Sequence, residues 1–78
     1  MTATRKVIIT KQENHFRDGS PCWNAQIWTK VNERSGFVYC GMGRFCKSPK
    51  EAENYKKEVL DEAVKRGESV IWGDEHEN

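Results

Sequence analysis

Seventy-eight residues suffice for one domain with a thin core, and leave little room for an enclosed cavity lined by several catalytic groups. Charged residues make up 32% of the chain, yet three Trp, two Tyr and three Phe exclude a disordered composition. The net charge of +1 divides unevenly: residues 1–47 carry eight Lys/Arg against three Asp/Glu, and residues 48–78 carry five against nine. The first half is therefore +5 and the second −4, an asymmetry that bears on partners.

Val7-Ile8-Ile9-Thr10 is a β-branched run and predicts a first strand over about 6–16. Arg17-Asp18-Gly19-Ser20-Pro21 is turn chemistry, because Asp-Gly bends tightly and Pro21 has no N–H to give a ladder. A second strand is expected over about 22–31. Asn32-Glu33-Arg34-Ser35-Gly36 forms the next polar turn, and a third strand follows over about 36–46. Short turns between consecutive strands imply an antiparallel meander in the order 1-2-3.

Ser48-Pro49-Lys50-Glu51 matches a capping box, with Ser48 accepting from the Glu51 N–H and Glu51 reaching back to the Ser48 N–H. A helix is predicted over about 49–66. Ala52, Tyr55, Val59, Leu60 and Ala63 fall on one stripe, and Lys65-Arg66-Gly67 closes it. Val70-Ile71-Trp72 reads as a short fourth strand at 69–73 or as a packing tail, before an acidic tail at 74–78. The expected class is α+β: one domain spanning 1–78, in which a three-stranded antiparallel sheet packs on one C-terminal helix (β-β-β-α).

One helix covers one face of a sheet. Trp23, Ala25 and Ile27 form the core set of the second strand, and Val38, Cys40 and Met42 the matching set of the third. Gly43 is expected to bend the chain so that Phe45 turns inward against the helix. Gln26, Trp28, Lys30, Phe37 and Tyr39 are left on the opposite face, an aromatic-rich surface with an amide and a cation. Either a partner covers that face or the segment around Trp72 folds back over it.

Other constellations are weaker. Cys22, Cys40, Cys46 and His15 have zinc-ligand chemistry but no Cys-x-x-Cys knuckle, so buried thiols are the simpler reading. His15 and His76 are not placed to activate a thiolate. Gly41-Met42-Gly43 lacks phosphate-loop spacing and fits a bulge or a close backbone approach. No catalytic, metal or cofactor site is expected. An odd cysteine count, no bilayer-length apolar run and no signal-peptide core near Met1 predict a cytoplasmic protein.

Trp23-x-Ala25-x-Ile27, the Gly-containing turn, Gly43-x-Phe45, Glu51-Ala52 and Tyr55 together resemble the AP2-type and integrase arm-type DNA-binding domains. In those families a three-stranded sheet packs on one helix and lies in the DNA major groove. The resemblance, over residues 22–64, implies Gln26, Trp28 and Tyr39 as groove-facing residues. It implies Trp23, Ala25, Ile27, Phe45, Ala52 and Tyr55 as framework. Those families place several Arg on the outer face; here Arg34, Lys30, Arg5 and Lys6 would supply the phosphate contacts.

Two functions follow as expectations, neither enzymatic. One is nucleic-acid binding, DNA first, through Gln26, Trp28, Lys30, Arg34, Phe37, Tyr39, Arg5 and Lys6. The other is a small phage-type inhibitor, similar in scale to anti-CRISPR and anti-restriction factors, that binds a host protein or nucleoprotein complex. It would use the same aromatic face or the acidic helix. No membrane partner is expected, and the oligomeric state is left open.

Overall fold

The computed structural model describes residues 3–32 and 34–73. Four strands, β1 (Thr4–Lys11), β2 (Trp23–Lys30), β3 (Val38–Cys46) and β4 (Ser69–Ile71), accompany one helix, α1 (Pro49–Lys65). The sheet order is β3-β2-β1-β4. The three long strands form the expected antiparallel meander, and β4 lies parallel to β1 at the far edge. The expected acidic tail at 74–78 lies outside the described residues.

The first strand ends at Lys11 rather than near residue 16. Residues 12–22 form an irregular connection that Gln12 N–H closes on Cys22 O at 2.8 Å. Asp18 holds it from within: its carboxylate accepts from the Ser20 N–H at 2.9 Å and from Lys47 Nζ at 2.8 Å. Those bonds, the Lys47 one foremost, keep the Asp18 carboxyl well below the usual carboxylate range.

The helix ends are set by local chemistry. Ser48 Oγ accepts from the Glu51 N–H at 3.1 Å, as the capping box requires. The return bond differs from expectation: Glu51 Oε2 accepts from the Lys47 N–H at 3.2 Å, one residue earlier than Ser48. At the other end Gly67 N–H donates to Val64 O at 2.9 Å, and Glu68 N–H to Ala63 O at 3.0 Å. That pair is a Schellman motif, and Gly67, at φ +85°, has the left-handed backbone it needs.

Val7, Ala25, Ile27, Cys46, Ala52 and Leu60 form the core, with Ile9, Trp23, Tyr55, Val59 and Val70 packed around it. Alternation from Val7 places Arg5, Ile9 and Lys11 on the helix side and Lys6, Ile8 and Thr10 on the other. Val38 and Met42 were expected in the core, yet they are 52% and 58% exposed. Cys40 is exposed too, while Cys22 and Cys46 are buried. The reason is where α1 meets β3: the helix touches all four strands, but on β3 its contacts fall at the C-terminal end, at Arg44 and the buried Cys46. Val38 lies toward the other end of the strand, and Met42 borders an open hollow between β3 and α1.

Gly41 and Gly43 do different jobs. Cys40, Gly41 and Met42 together stand opposite the single residue Ile27, a bulge at which Gly41 takes φ +78°. Gly43 needs no special φ; a Cβ there would stand 2.5 Å from Ala25 O. It lets β3 close on β2. Because the bulge adds an even number of residues, alternation survives it. Phe45 therefore stays on the same side as Tyr39, opposite Asn24, and is 59% exposed. The expected inward turn of Phe45 does not occur; Arg44 is the residue that reaches the helix, its guanidinium 4.9 Å from the Tyr55 ring centroid.

Candidate binding face

The sheet surface away from α1 is built from alternate residues of all four strands, with Ile71 of β4 beside Lys6 at its edge. β1 gives it Lys6, Ile8 and Thr10, and β2 gives Asn24, Gln26, Trp28 and Lys30. Tyr39 and Phe45 come from β3. Register brings the predicted residues together: Trp28 stands between Lys6 and Tyr39, and Gln26 between Ile8 and Gly43.

At its centre Trp28 and Tyr39 stack with ring centroids 5.6 Å apart and planes tilted by 39°. Phe37, in the connection before β3, receives two cations: Lys6 Nζ lies 4.2 Å and Lys30 Nζ 5.3 Å from its ring centroid. Such contacts are attractive because the ring face carries negative charge. They also explain how Lys6, only 9% exposed, is accommodated in the sheet. The Trp28 indole N–H is enclosed without a hydrogen-bond partner, a penalty of about 1–3 kcal/mol in the middle of the face.

Two predicted residues stand apart from this cluster. Arg34 lies in the exposed β2–β3 turn, at the margin of the face. Arg5 is on the other side of the sheet. Its guanidinium pairs with the Glu68 carboxylate and donates to Thr29 Oγ1 at 3.2 Å. Alternation explains this, since Arg5 shares the side of Val7. Hydrogen bonds from Arg5 first, and then from Arg66, lower the Glu68 carboxyl below the ordinary glutamate range.

Sequence reasoning put Asn24 on the side of Trp28 but missed Ile8, Thr10 and Phe45 as members of the face, although all three follow from period-two alternation through Lys6 and Tyr39. The segment around Trp72 flanks the face at Ile71, beside Lys6, but Trp72 itself does not cover it. Val70 packs into the core on the helix side, and Trp72 shares a hollow with Glu53, Asn54, Lys56 and Lys57 of α1. Among the described residues no cluster of His, Cys, Asp and Glu is arranged to hold a metal, and no helix is long and apolar enough to cross a membrane.

No protein-family profile, no curated protein and no solved structure matches the chain. The sheet-plus-helix architecture agrees with what the AP2-type and arm-type resemblance implied; no family match supports that relationship.

Proposed function

We propose that this protein is a small, non-enzymatic binding module that takes nucleic acid, DNA first, on the sheet face away from α1. The observation that supports it most is the Trp28–Tyr39 stack beside Phe37, Lys6 and Lys30 on a face the helix leaves uncovered. Aromatic rings at a sheet surface offer stacking platforms worth about 1–3 kcal/mol per base. Lys30 and Arg34 flank the rings and reach phosphates, while the amides of Gln26 and Asn24 supply donors and acceptors for base edges. With two or three phosphate contacts, the logarithm of affinity falls with that of salt at a slope of only about −2 to −3.

The test is a titration of labelled duplex and single-stranded DNA with the protein at low salt, followed by anisotropy. Binding to at least one form is expected, and the Trp28→Ala/Lys30→Ala double variant loses it. No binding to either form ends this reading.

A protein partner on the same face is the second reading. It is favoured by the scarcity of cations there, since both lysines of the face already stack on Phe37 and Arg5 is on the other side. The acidic helix is the poorer surface for such a partner: Asp61 and Glu62 are already met by Lys57 and Lys65. Capture from nuclease-treated host lysate that Trp28→Ala abolishes, with no DNA binding, favours this reading.

A further inference from the structure

The two edges of the sheet are unlike. β4 is three residues long, the short kind of edge that resists pairing with other chains. β3 runs for nine residues, and among the described residues no strand lies beyond it. It holds no Pro or Lys, and its single charge is Arg44. Val38, Tyr39, Met42 and Phe45 are 45–59% exposed along it, on both sides of the sheet. An edge this long and apolar is a template for another strand.

We infer that β3 pairs antiparallel with β3 of a second copy about a two-fold axis, joining two sheets into one of eight strands. The occupant is argued from self-complementarity. The register that pairs the strand end to end centres on Gly43, midway between Tyr39 and Phe45 once the bulge is counted as one rung, and Gly43 then meets its own counterpart. In it Tyr39 stands opposite Phe45 on the outer side, twice, giving two aromatic cross-strand pairs. Gly43, at the axis, has no side chain to bring into conflict. Arg44 stands level with the neutral Cys40–Met42 bulge of the other copy and not opposite another Arg44, which avoids a like-charge pair. A two-fold interface of this isologous kind is the commonest route to a closed oligomer.

The area is modest. Aromatic side chains of about 150–250 Å², half uncovered, leave roughly 200 Å² per copy at Tyr39 and Phe45. Val38 and Met42 add a similar amount, so two copies with their paired backbone reach about 1,000 Å², the low end for a specific interface. An interface of that size is expected to associate weakly, which sets the concentration range of the test. The axis is perpendicular to the sheet, so both outer faces lie on one side and the two Trp28–Tyr39 stacks become one surface. The inference does not rest on nucleic-acid binding, because the dimer is measured without nucleic acid.

The test is sedimentation of the full chain under reducing conditions, from low to several hundred micromolar. A species of twice the 9.1 kDa chain mass is expected to grow in with concentration. Met42→Lys and, separately, Phe45→Lys place charges near the axis and move the monomer–dimer midpoint at least about tenfold higher. Val64→Lys, on the exposed helix surface, leaves it in place. Far-UV circular dichroism checks that each variant is folded; both lysines enter exposed positions, and either folded variant decides the matter. A monomer at every concentration overturns the inference, as does a dimer that persists unchanged in the lysine variants.

Discussion

Replacing Gly43 by Ala tests the packing that holds the binding face together. The added Cβ would stand 2.5 Å from Ala25 O and 3.3 Å from Gln26 Cα, where ordinary contact begins at 3.4 Å. The neighbour is backbone, so no side chain can swing aside. Ala25 cannot retreat either, because it is fully buried on a central strand and paired with Ile9 on its other flank. β3 must therefore move off β2 by most of an ångström, loosening the ladder that sets Tyr39 beside Trp28. Overpacking of this kind costs about 1–3 kcal/mol, a large share of the roughly 4–12 kcal/mol available to a chain this size. Urea unfolding followed by Trp fluorescence should show the midpoint falling by about 1–3 M, with a slope near 1 kcal/mol/M. Gly73→Ala is the control, since a Cβ there meets nothing within 4 Å; it should stay within about 0.5 kcal/mol of the parent. A Gly43→Ala variant as stable as Gly73→Ala would refute the close approach of β3 to β2.

Leu60 is the largest side chain with no exposure, and Leu60→Ala should cost about 2–5 kcal/mol in the same urea assay. Ser48→Ala removes the helix cap and should lower stability by about 1 kcal/mol, with no change in which DNA or protein binds. Glu68 is held below its ordinary range by Arg5 and Arg66, so its contribution is present above the unfolded-state glutamate pKa and is lost as pH falls through its folded value. Melting temperatures of the parent and Glu68→Gln should therefore differ at neutral pH and converge in acid. A gap that stays constant down to strongly acid pH would contradict the ion pair.

What the sequence made legible was local. Trp23-x-Ala25-x-Ile27 alternates cleanly because β2 is buried on one side only, and the Ser48–Glu51 cap and Gly67 are short-range signals that the structure reproduces. The Gly41-Met42-Gly43 reading was open between a bulge and a close approach; the structure has both, one at each glycine. Arg5 and Phe45 were misplaced although plain alternation assigns them, because charge drew Arg5 to the binding face and an assumed bend drew Phe45 to the core. The exposure of Val38 and Met42 was not legible, since it depends on where along β3 the helix makes contact. Nor was the burial of Lys56, which lies beside Trp72 on a segment whose parallel pairing with β1 leaves no mark in its sequence.

The central claim is that the uncovered face around Trp28 and Tyr39 is the binding surface. Its most direct test is amide and indole chemical-shift mapping of the ¹⁵N-labelled protein at low salt, titrated separately with duplex and single-stranded DNA. The account predicts shifts at the Trp28 indole N–H and at the amides of Gln26, Lys30 and Tyr39, with Glu53, Glu58 and Asp61 of α1 unmoved. Shifts confined to the helix, or none with either form of DNA, would contradict it.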